Sequence, residues 1–192
     1  MFKYETGENG SIITYNGMTP RIDKSVFLCE GVKIIGDVVI DKDVSIWYNT
    51  VVRGDVDYIE IGEGTNVQDL SMLHVTNHKY PLVIGKYVSI GHSVSLHGCH
   101  IGDHTLIGIG ATVLDDAVIN PYSLVAAGAL VKEHFVVPEG TLVAGVPAKV
   151  VKELDEKSIK MVVDNAYHYI DYVKEFRETI GKEKGEYFKR DR

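Results

Sequence analysis

A six-residue period constrains the fold of this chain more than any other feature of its sequence. Between residues 35 and 131 the chain divides into twelve units of six residues, interrupted three times, and every unit ends in an aliphatic residue. The position two residues before each end is always small or β-branched. A helix repeats about every 3.6 residues and a strand every 2, so neither explains this pattern. The unit-ending residues are Ile40, Ile46, Val52, Val67, Leu73, Ile90, Leu96, Ile107, Val113, Ile119, Val125 and Val131.

Very short strands separated by turns do explain a period of six. Three such strands make one triangular coil of about 18 residues, and successive coils stack at the ~4.8 Å spacing of paired strands. The alternative, a β-sandwich, would place its turns roughly every 8–12 residues without a fixed period of six. The sequence therefore predicts an all-β solenoid. Glycines at or near the turns are expected to supply permissive backbone dihedrals there; they are Gly36, Gly62, Gly64, Gly85, Gly91, Gly102 and Gly108.

Three segments break the count, and they indicate where function should be sought. RGDVDYIEI (53–61), HVTNHKYPLVI (74–84) and HGCHI (97–101) have nine, eleven and five residues. Extra residues in a solenoid must loop out on one face, which is often the face that binds.

Charge is unevenly distributed along the chain. The net charge of −7 comes entirely from residues 1–150, because residues 151–192 carry ten acidic and ten basic side chains. We therefore expect a β-helix domain over 1–150, then a helix and charged tail over 151–192. The acidic balance argues against nucleic acid or an anionic membrane surface as the main partner.

Cellular location is inferred from what the sequence does not contain. Cys29 and Cys99 lack the spacing of a metal finger or a disulfide framework. No apolar run approaches the ~18 residues that span a membrane, and the first residues do not resemble a leader. We expect a cytoplasmic protein with no membrane partner.

After residue 154 the apolar residues change to helical spacing. They recur three and four residues apart, which predicts an amphipathic helix whose apolar side packs on a wall of the coil or on a neighbouring subunit. The residues of this seam are Ile159, Val162, Ala166, Tyr169, Val173, Phe176 and Ile180.

The register of the coils brings particular histidines together. His74 opens one interrupted unit, and His97 opens the third unit after it, so both occupy the same corner of adjacent coils. Neighbours about 4.8 Å apart at the backbone can tilt two imidazole nitrogens to the roughly 3.3 Å that zinc ligands require. The same counting places Arg53 one coil below His74 and stacks His92 on Asp69. Two ligands of a metal site are therefore predicted from spacing alone.

The residues that carry this chemistry resemble those of the γ-class carbonic anhydrases. The resemblance rests on RGD (53–55), VQD (67–69), His74 in SMLHV, and GHSVSLHG (91–98), and it extends to LVAGVPAKVVKEL (142–154). It implies that the solenoid is a left-handed parallel β-helix. It also implies a homotrimer that holds one metal at each of three subunit interfaces and interconverts carbon dioxide and bicarbonate. The ligands would be His74 and His97 of one chain and His92 of its neighbour.

The resemblance also implies the cofactor and the roles of further residues. Zinc suits three imidazoles and an open position, and iron or cobalt also suits nitrogen ligands. Gln68 would hydrogen-bond the reacting oxygens, and Asp69 would support the site. Arg53 and Asp55 would form an ion pair across the subunit interface, either organising the site or simply joining the subunits. Tyr169 would line the pocket or belong to the core of the helix seam.

Two departures from the family pattern leave other functions open. Well-known members carry proton-relaying glutamates where this chain has Val56 and Asn77, so hydration is expected to be slow. His78 is a possible substitute. The first alternative is a hexapeptide-repeat acyltransferase that uses acetyl-coenzyme A with one histidine as general base. The second is a metal-binding trimer whose hydrolytic activity is lost or redirected, for example to a thioester.

Overall fold

The computed structural model describes residues 10–182, and the predicted charged tail after residue 182 lies outside them. The elements of this part, in chain order, are β1 (Ser11–Ile13), β2 (Arg21–Ile22), β3 (Phe27–Leu28), β4 (Lys33–Ile40), β5 (Ser45–Ile46), β6 (Val51–Ile61), β7 (Asn66–Val67), β8 (Met72–His74), β9 (Leu82–Ile84), β10 (Ser89–Ile90), β11 (Ser95–His97), β12 (His100–Ile101), β13 (Leu106–Ile107), β14 (Thr112–Val113), β15 (Val118–Ile119), β16 (Leu124–Val125), β17 (Leu130–Val131), β18 (Val136–Val137), β19 (Thr141–Gly145), β20 (Ala148–Glu153) and α1 (Glu156–Lys182).

The strands form the three faces of a triangular prism. The first face contains β1, β8, β11, β14 and β17, the second contains β2, β9, β12, β15 and β18, and the long strands β4 and β6 run through both. The third face is a separate sheet of β3, β5, β7, β10, β13, β16 and β19, to which β20 adds an antiparallel edge. All other described pairs are parallel. The predicted left-handed parallel β-helix with a C-terminal helix is confirmed.

The interior of the prism is filled by the positions that the period singles out. The twelve unit-ending aliphatic residues are all buried, and so are the small or β-branched residues two positions before them. Because each coil repeats this pair of positions, large and small side chains stack in columns along the prism. The repeat of six thus reflects two buried positions for each short strand and turn.

The reason predicted for the glycines is right at two positions and wrong at the other five. Gly36 and Gly64 have the φ of 80° and 69° that left-handed backbone requires. The remaining five lie where successive coils touch. A Cβ on Gly108, for example, would lie 2.5 Å from the backbone nitrogen of Ala127 in the next coil. Most of the left-handed turn positions are instead occupied by other residues, such as Asn49 and Asp116.

Helix α1 packs on the third face of its own chain. Its first turn is capped by Asp155, whose side-chain oxygen accepts a hydrogen bond from the backbone nitrogen of Ser158 at 2.8 Å. Val162 and Ala166 are completely buried, and near its other end Arg177 donates to the carbonyl oxygen of Ser25 at 2.9 Å. The helix therefore covers the part of the third face that lies towards the N-terminus. Among the described helices, none is long and apolar enough to cross a membrane.

Candidate metal centre

His74 and His97 meet at one corner of the prism, as the register predicts. They end β8 and β11, and their backbones are paired in a parallel ladder. The preceding residues, Leu73 and Leu96, point into the core and are fully buried, so alternation along the strands turns both imidazoles outward. The Nδ1 of His74 lies 3.1 Å from the Nε2 of His97. The predicted stacking of these two histidines is confirmed.

Each of these imidazoles contacts a carboxylate through its other nitrogen. The Nε2 of His74 is 3.0 Å from Asp55 Oδ1, and the Nδ1 of His97 is 2.5 Å from Asp115 Oδ1. Burial alone would raise the pKa of Asp55, but hydrogen bonds from Arg53 and His74 hold that pKa below its ordinary value. The pKa of Asp115 is lowered likewise, because Thr76 and His97 outweigh burial. Burial lowers the pKa of His74, which favours its neutral form.

The geometry of these contacts makes the gap between the two imidazoles a place for a cation. When both imidazoles are neutral, His74 donates from Nε2 to Asp55, and His97 donates from Nδ1 to Asp115. The lone pairs of His74 Nδ1 and His97 Nε2 then face each other across 3.1 Å. Two zinc-bound nitrogens lie about 3.3 Å apart, and the other N–H of a metal-bound histidine usually donates a hydrogen bond to a carboxylate, a backbone carbonyl or water. The residues present therefore fit a metal of this kind.

Arg53 and Asp55 pair inside one chain. The guanidinium of Arg53 contacts Asp55 Oδ2, and Asp55 offers its other oxygen to His74. Residues two apart on β6 point the same way, so Arg53 and Asp55 reach each other directly within one chain. Arg53 thereby fixes the carboxylate that holds His74. The ion pair across a subunit interface that the resemblance implies stays a prediction.

His92 lies at a different corner, where the third face turns into the first. Its Nδ1 is 2.7 Å from Asp69 Oδ2, and the backbone nitrogen of Ser93 donates to the carbonyl oxygen of Asp69 at 2.9 Å. The backbone nitrogen of Tyr48 donates to Asp69 Oδ1 at 3.2 Å. The predicted stacking of His92 on Asp69 is confirmed, and His92 also has a carboxylate at one ring nitrogen.

Gln68 and Tyr169 lie on the same side of the molecule as His92. Gln68 is buried, and its Nε2 donates to Asn66 Oδ1 at 3.1 Å. The Nδ2 of Asn66 donates in turn to Ser89 Oγ at 2.9 Å. Gln68 and Tyr169 both line an open cavity of about 380 Å³ between the third face and α1. Burial, and then the charge of Asp69, raises the pKa of Tyr169, so its hydroxyl stays protonated.

One chain therefore carries two separate groups of candidate site residues. We call His74, His97 and their carboxylate partners the paired half-site, and His92, Asp69, Gln68 and Tyr169 the single half-site. Within residues 10–182, no three histidine, cysteine or acidic side chains converge on a point that could hold a metal ion. The structure brings two predicted ligands together and keeps the third apart from them.

Comparison with known proteins gives the family. The bacterial transferase hexapeptide family (six repeats) matches residues 98–133. Carbonic anhydrase of Geobacillus kaustophilus is 41% identical over 93% of this chain and 91% of its own length. The protein named "Probable carbonic anhydrase" in Methanocaldococcus jannaschii is 46% identical over 78% of this chain and 93% of its own. Gamma carbonic anhydrase 1 of Arabidopsis thaliana mitochondria is 38% identical over 88% of this chain.

This chain belongs to the γ-carbonic anhydrase family. It spans 63% of the length of the Arabidopsis γ-carbonic anhydrase 1 and 57% of γ-carbonic anhydrase 2. Two solved structures that are similar to this γ-carbonic anhydrase family member are named as transferases. A hexapeptide transferase family protein of Anaplasma phagocytophilum is 42% identical, with a TM-score of 0.82 over 86% of this chain and 97% of its own. A candidate acetyltransferase of Bacillus cereus is 38% identical, with a TM-score of 0.87 over 90% and 99%.

Sequence reasoning overlooked Asp115, Thr76 and Asn66 in this γ-carbonic anhydrase family member. A signal for Asp115 was present, because the unit 114–119 opens one coil beyond His97 and begins Leu-Asp-Asp. Applying the rule that aligned the histidines would have placed an aspartate beside the column of His97. Nothing comparable marks Thr76, which lies in an interruption where the period stops. Asn66 lies between the two buried positions of its unit, and the period gives no signal for its contact with Gln68.

Proposed function

We propose that this protein catalyses the reversible hydration of carbon dioxide to bicarbonate at metal sites shared between the chains of a homotrimer. The observation that carries the proposal is the paired half-site. The imidazole nitrogens of His74 and His97 face each other at 3.1 Å, and a carboxylate holds the other nitrogen of each ring. Relatives named carbonic anhydrase support this reaction.

The two half-sites account for a trimer. The paired half-site offers two nitrogen ligands and needs a third, which His92 of the partner subunit would supply. An interface between two unlike half-sites is heterologous, and such interfaces close into a ring when the rotation between neighbours is a third of a turn. Three equivalent sites result, each completed by two chains.

Zinc is the metal we propose, with iron or cobalt as substitutes that imidazole also accepts. When bound, zinc supplies a Lewis acid that makes water nucleophilic at about neutral pH. Asp55 and Asp115 would hold the rings of His74 and His97 in the orientation that turns their lone pairs towards the metal. Arg53 keeps Asp55 ionised. Each carboxylate accepts a hydrogen bond from the protonated nitrogen of its imidazole, so the other nitrogen of that ring stays available as a ligand.

The single half-site would hold the substrate side of the reaction. Asn66 fixes the rotation of the Gln68 carboxamide, which we propose to hydrogen-bond bicarbonate. Asp69 orients His92, and Tyr169 forms a wall of the adjoining cavity with its hydroxyl protonated. The apolar lining of this cavity, which includes Leu106 and Leu124, suits carbon dioxide, a small molecule without charge.

Turnover is expected to be limited by proton export. The backbone nitrogen of His78 donates to the carbonyl oxygen of Val56 at 3.0 Å, so the loop after His74 lies against residue 56 without a carboxylate at 56 or 77. A missing proton acceptor costs about 10²–10⁴-fold in a step that needs one. Added imidazole buffer should therefore raise kcat of the metal-loaded protein severalfold, as stopped-flow hydration would show. A kcat independent of buffer concentration contradicts this limit.

Metal analysis and hydration rates test the proposed function together. The wild-type protein should contain three equivalents of metal per trimer, and His92→Ala should lose both metal and carbon dioxide hydration. His100→Ala, which removes an exposed imidazole from the second face, should keep both and serves as the matched control. Equal hydration by wild type and His92→Ala contradicts the proposal. Full metal content without hydration above the buffer rate favours a redirected hydrolase.

An acyltransferase is the second candidate, because similar solved structures carry transferase names. Such an enzyme needs one histidine as general base and no metal. Turnover of acetyl-coenzyme A that survives complete metal removal would favour it. Loss of that turnover in His92→Ala, with no change in His100→Ala, would assign the base.

A further inference from the structure

Asp115 joins two parts of the paired half-site that are far apart in sequence. Its Oδ1 accepts a hydrogen bond from the Nδ1 of His97 at 2.5 Å, and its Oδ2 accepts one from the hydroxyl of Thr76 at 2.7 Å. The carboxylate is largely buried, with 19% of the side chain exposed. Both oxygens are therefore committed to groups of the half-site.

The backbone around Asp115 is built to bring the carboxylate to this position. The nitrogen of Asp116 donates to the carbonyl oxygen of Gly98 at 2.7 Å, which holds the turn against the coil of His97. Gly98 has a φ of 52°, and a Cβ on it would lie 2.6 Å from Asp115 Oδ1. Glycine at position 98 therefore leaves the space that the carboxylate occupies.

The bond to His97 decides which of its nitrogens faces His74. A half-turn of an imidazole about its Cβ–Cγ bond exchanges Nδ1 with Cδ2 and Nε2 with Cε1, so it would take both nitrogens of His97 away from their present partners. A carboxylate at Nδ1 keeps the proton there and leaves the lone pair on Nε2. The Nε2 of His97 is the atom that faces His74 at 3.1 Å.

The bond to Thr76 anchors the loop that follows the other ligand. Thr76 lies two residues after His74 and begins a tight turn. The turn closes through an isolated bridge between Thr76 and Tyr80. This turn lies within the eleven-residue interruption (74–84), where the six-residue period no longer positions the chain. Asp115 supplies a fixed attachment for it from two coils further along the prism.

We propose that Asp115 is a positioning residue of the metal centre, which selects Nε2 of His97 as the ligand atom and secures the loop after His74. The inference rests on the proposed function for the metal itself. It goes beyond that function in assigning to Asp115 the orientation of one ligand and the placement of the segment beside another.

Three variants separate orientation from simple stabilisation. Asp115→Ala removes both hydrogen bonds and should weaken Zn²⁺ binding about 10- to 100-fold. Asp115→Asn keeps an oxygen that can accept from His97, so it should recover most of that affinity. Thr76→Val removes the loop contact but leaves the bond to His97, so it separates the two roles of Asp115 and should weaken Zn²⁺ binding less than Asp115→Ala does. Competition with a chelator measures affinity.

Two spectroscopic readouts show orientation directly. Cobalt-substituted Asp115→Ala should have an altered visible spectrum, and Thr76→Val should not. In metal-free protein with ¹⁵N-labelled histidine, wild type should show His97 protonated at Nδ1, and Asp115→Ala should show the Nε2 tautomer as well. This second measurement does not require metal, so it remains decisive if the wild type binds none and the proposed function fails.

Results of three kinds would overturn the inference. One is Asp115→Ala with wild-type Zn²⁺ affinity and an unchanged cobalt spectrum. Another is a loss of affinity in Asp115→Ala that Asp115→Asn does not recover and that tracks loss of the trimer by sedimentation. The third is an unchanged His97 tautomer in metal-free Asp115→Ala. Each would reduce Asp115 to a residue of the scaffold.

Discussion

At the scale of single residues, the corners of the coil place two separate requirements on the chain. Some positions need a left-handed backbone conformation, and others need room for the next coil. Left-handed turn positions hold residues such as Asn49, Asp116 and Tyr87, although a positive φ is uncommon for a bulky side chain. Some glycines, such as Gly110, also occupy left-handed positions, whereas others, such as Gly108, lie where one coil rests on the next. The hydrogen bonds of the stacked turns therefore outweigh the intrinsic cost of these conformations.

Two glycines in the same turn should respond differently to an added methyl group. Gly108→Ala places a Cβ 2.5 Å from the next coil, whereas Gly110→Ala meets nothing within 4 Å and bears only the strain of its φ of 67°. We expect Gly108→Ala to lower the free energy of unfolding by about 3 kcal/mol and Gly110→Ala by about 1 kcal/mol. Urea unfolding measures both. A larger loss in Gly110→Ala would show that dihedral strain, and not contact, governs these turns.

A tyrosine at another corner should give the alkaline stability curve a specific feature. The hydroxyl of Tyr87 donates to Glu63 Oε1 at 2.9 Å, which raises the pKa of Tyr87 to about 12. Because this pKa lies above the value of about 10 in unfolded chains, the bond stabilises the fold fully below pH 10 and is lost as pH rises towards 12. The stability difference between wild type and Tyr87→Phe should stay level to about pH 10 and then shrink.

Urea unfolding at a series of pH values checks the prediction for Tyr87. The phenylalanine ring still stacks on His104, whose ring centroid lies 5.4 Å away, so the comparison isolates the hydroxyl. Tyr58→Phe, at an exposed tyrosine, is the control and should show no such step. A difference between wild type and Tyr87→Phe that persists unchanged at pH 12 contradicts the prediction.

At the scale of elements, an aromatic cluster attaches the helix to the solenoid. Trp47 projects from the third face, with its ring centroid 5.5 Å from Tyr169 and 5.0 Å from Phe176 on α1. Phe27, from the preceding coil, contacts both Trp47 and Phe176 edge-on. Such pairs add about 0.5–1.5 kcal/mol each beyond the area they bury. The cluster also places Tyr169 beside Gln68 in the single half-site.

Removing one ring of this cluster should loosen the helix measurably. We expect Phe176→Ala to lower the free energy of unfolding by about 3 kcal/mol. Trp47 is the single tryptophan of the chain, so its emission should shift to longer wavelength as the helix exposes it. Glu175→Ala, at the neighbouring exposed position, should change neither quantity. An unshifted emission in Phe176→Ala would show that the helix is held independently of this ring.

At the scale of the whole molecule, the proposed function makes assembly a condition of activity. A single chain presents two of the proposed ligands at one corner and the proposed third at another, so a monomer would lack the complete site that we propose. Metal that binds only the assembled protein stabilises it by mass action, by about 2.7 kcal/mol when free metal is 100 times Kd. Removing the metal should therefore lower both the melting temperature and the fraction of trimer.

Mixed trimers test the shared site directly. His97→Ala damages the paired half-site and His92→Ala the single half-site, so each protein alone should be inactive. When equal amounts are refolded together, an intact pair of half-sites meets at about one quarter of the interfaces, if chains assort at random into rings. Hydration activity and metal content should both return to about a quarter of the wild-type value.

The control for this complementation is a second mixture. His74→Ala and His97→Ala both damage the paired half-site, so mixing them should restore nothing. Recovery in this control mixture, or its absence in the first, would show that the ligands are not divided between chains in the proposed way.

The sequence alone determined which residues stack. A period of six with two buried positions fits three short strands per coil, and counting units by threes then stacks His74 on His97 and His92 on Asp69. Those columns depend only on backbone pairing, which is local and regular. Where the period fails, as in the loop that contains Thr76, counting units predicts no contacts.

Only the tertiary structure decided how the stacked side chains are held. That Asp115 reaches His97, that Arg53 pairs with Asp55 within its own chain, and that α1 lies on the third face of the same chain depend on rotamers, turn geometry and packing between distant segments. These vary without a period, so no repeat encodes them. The register thus follows from the sequence, whereas the orientation of each imidazole follows from the carboxylate that folding brings beside it.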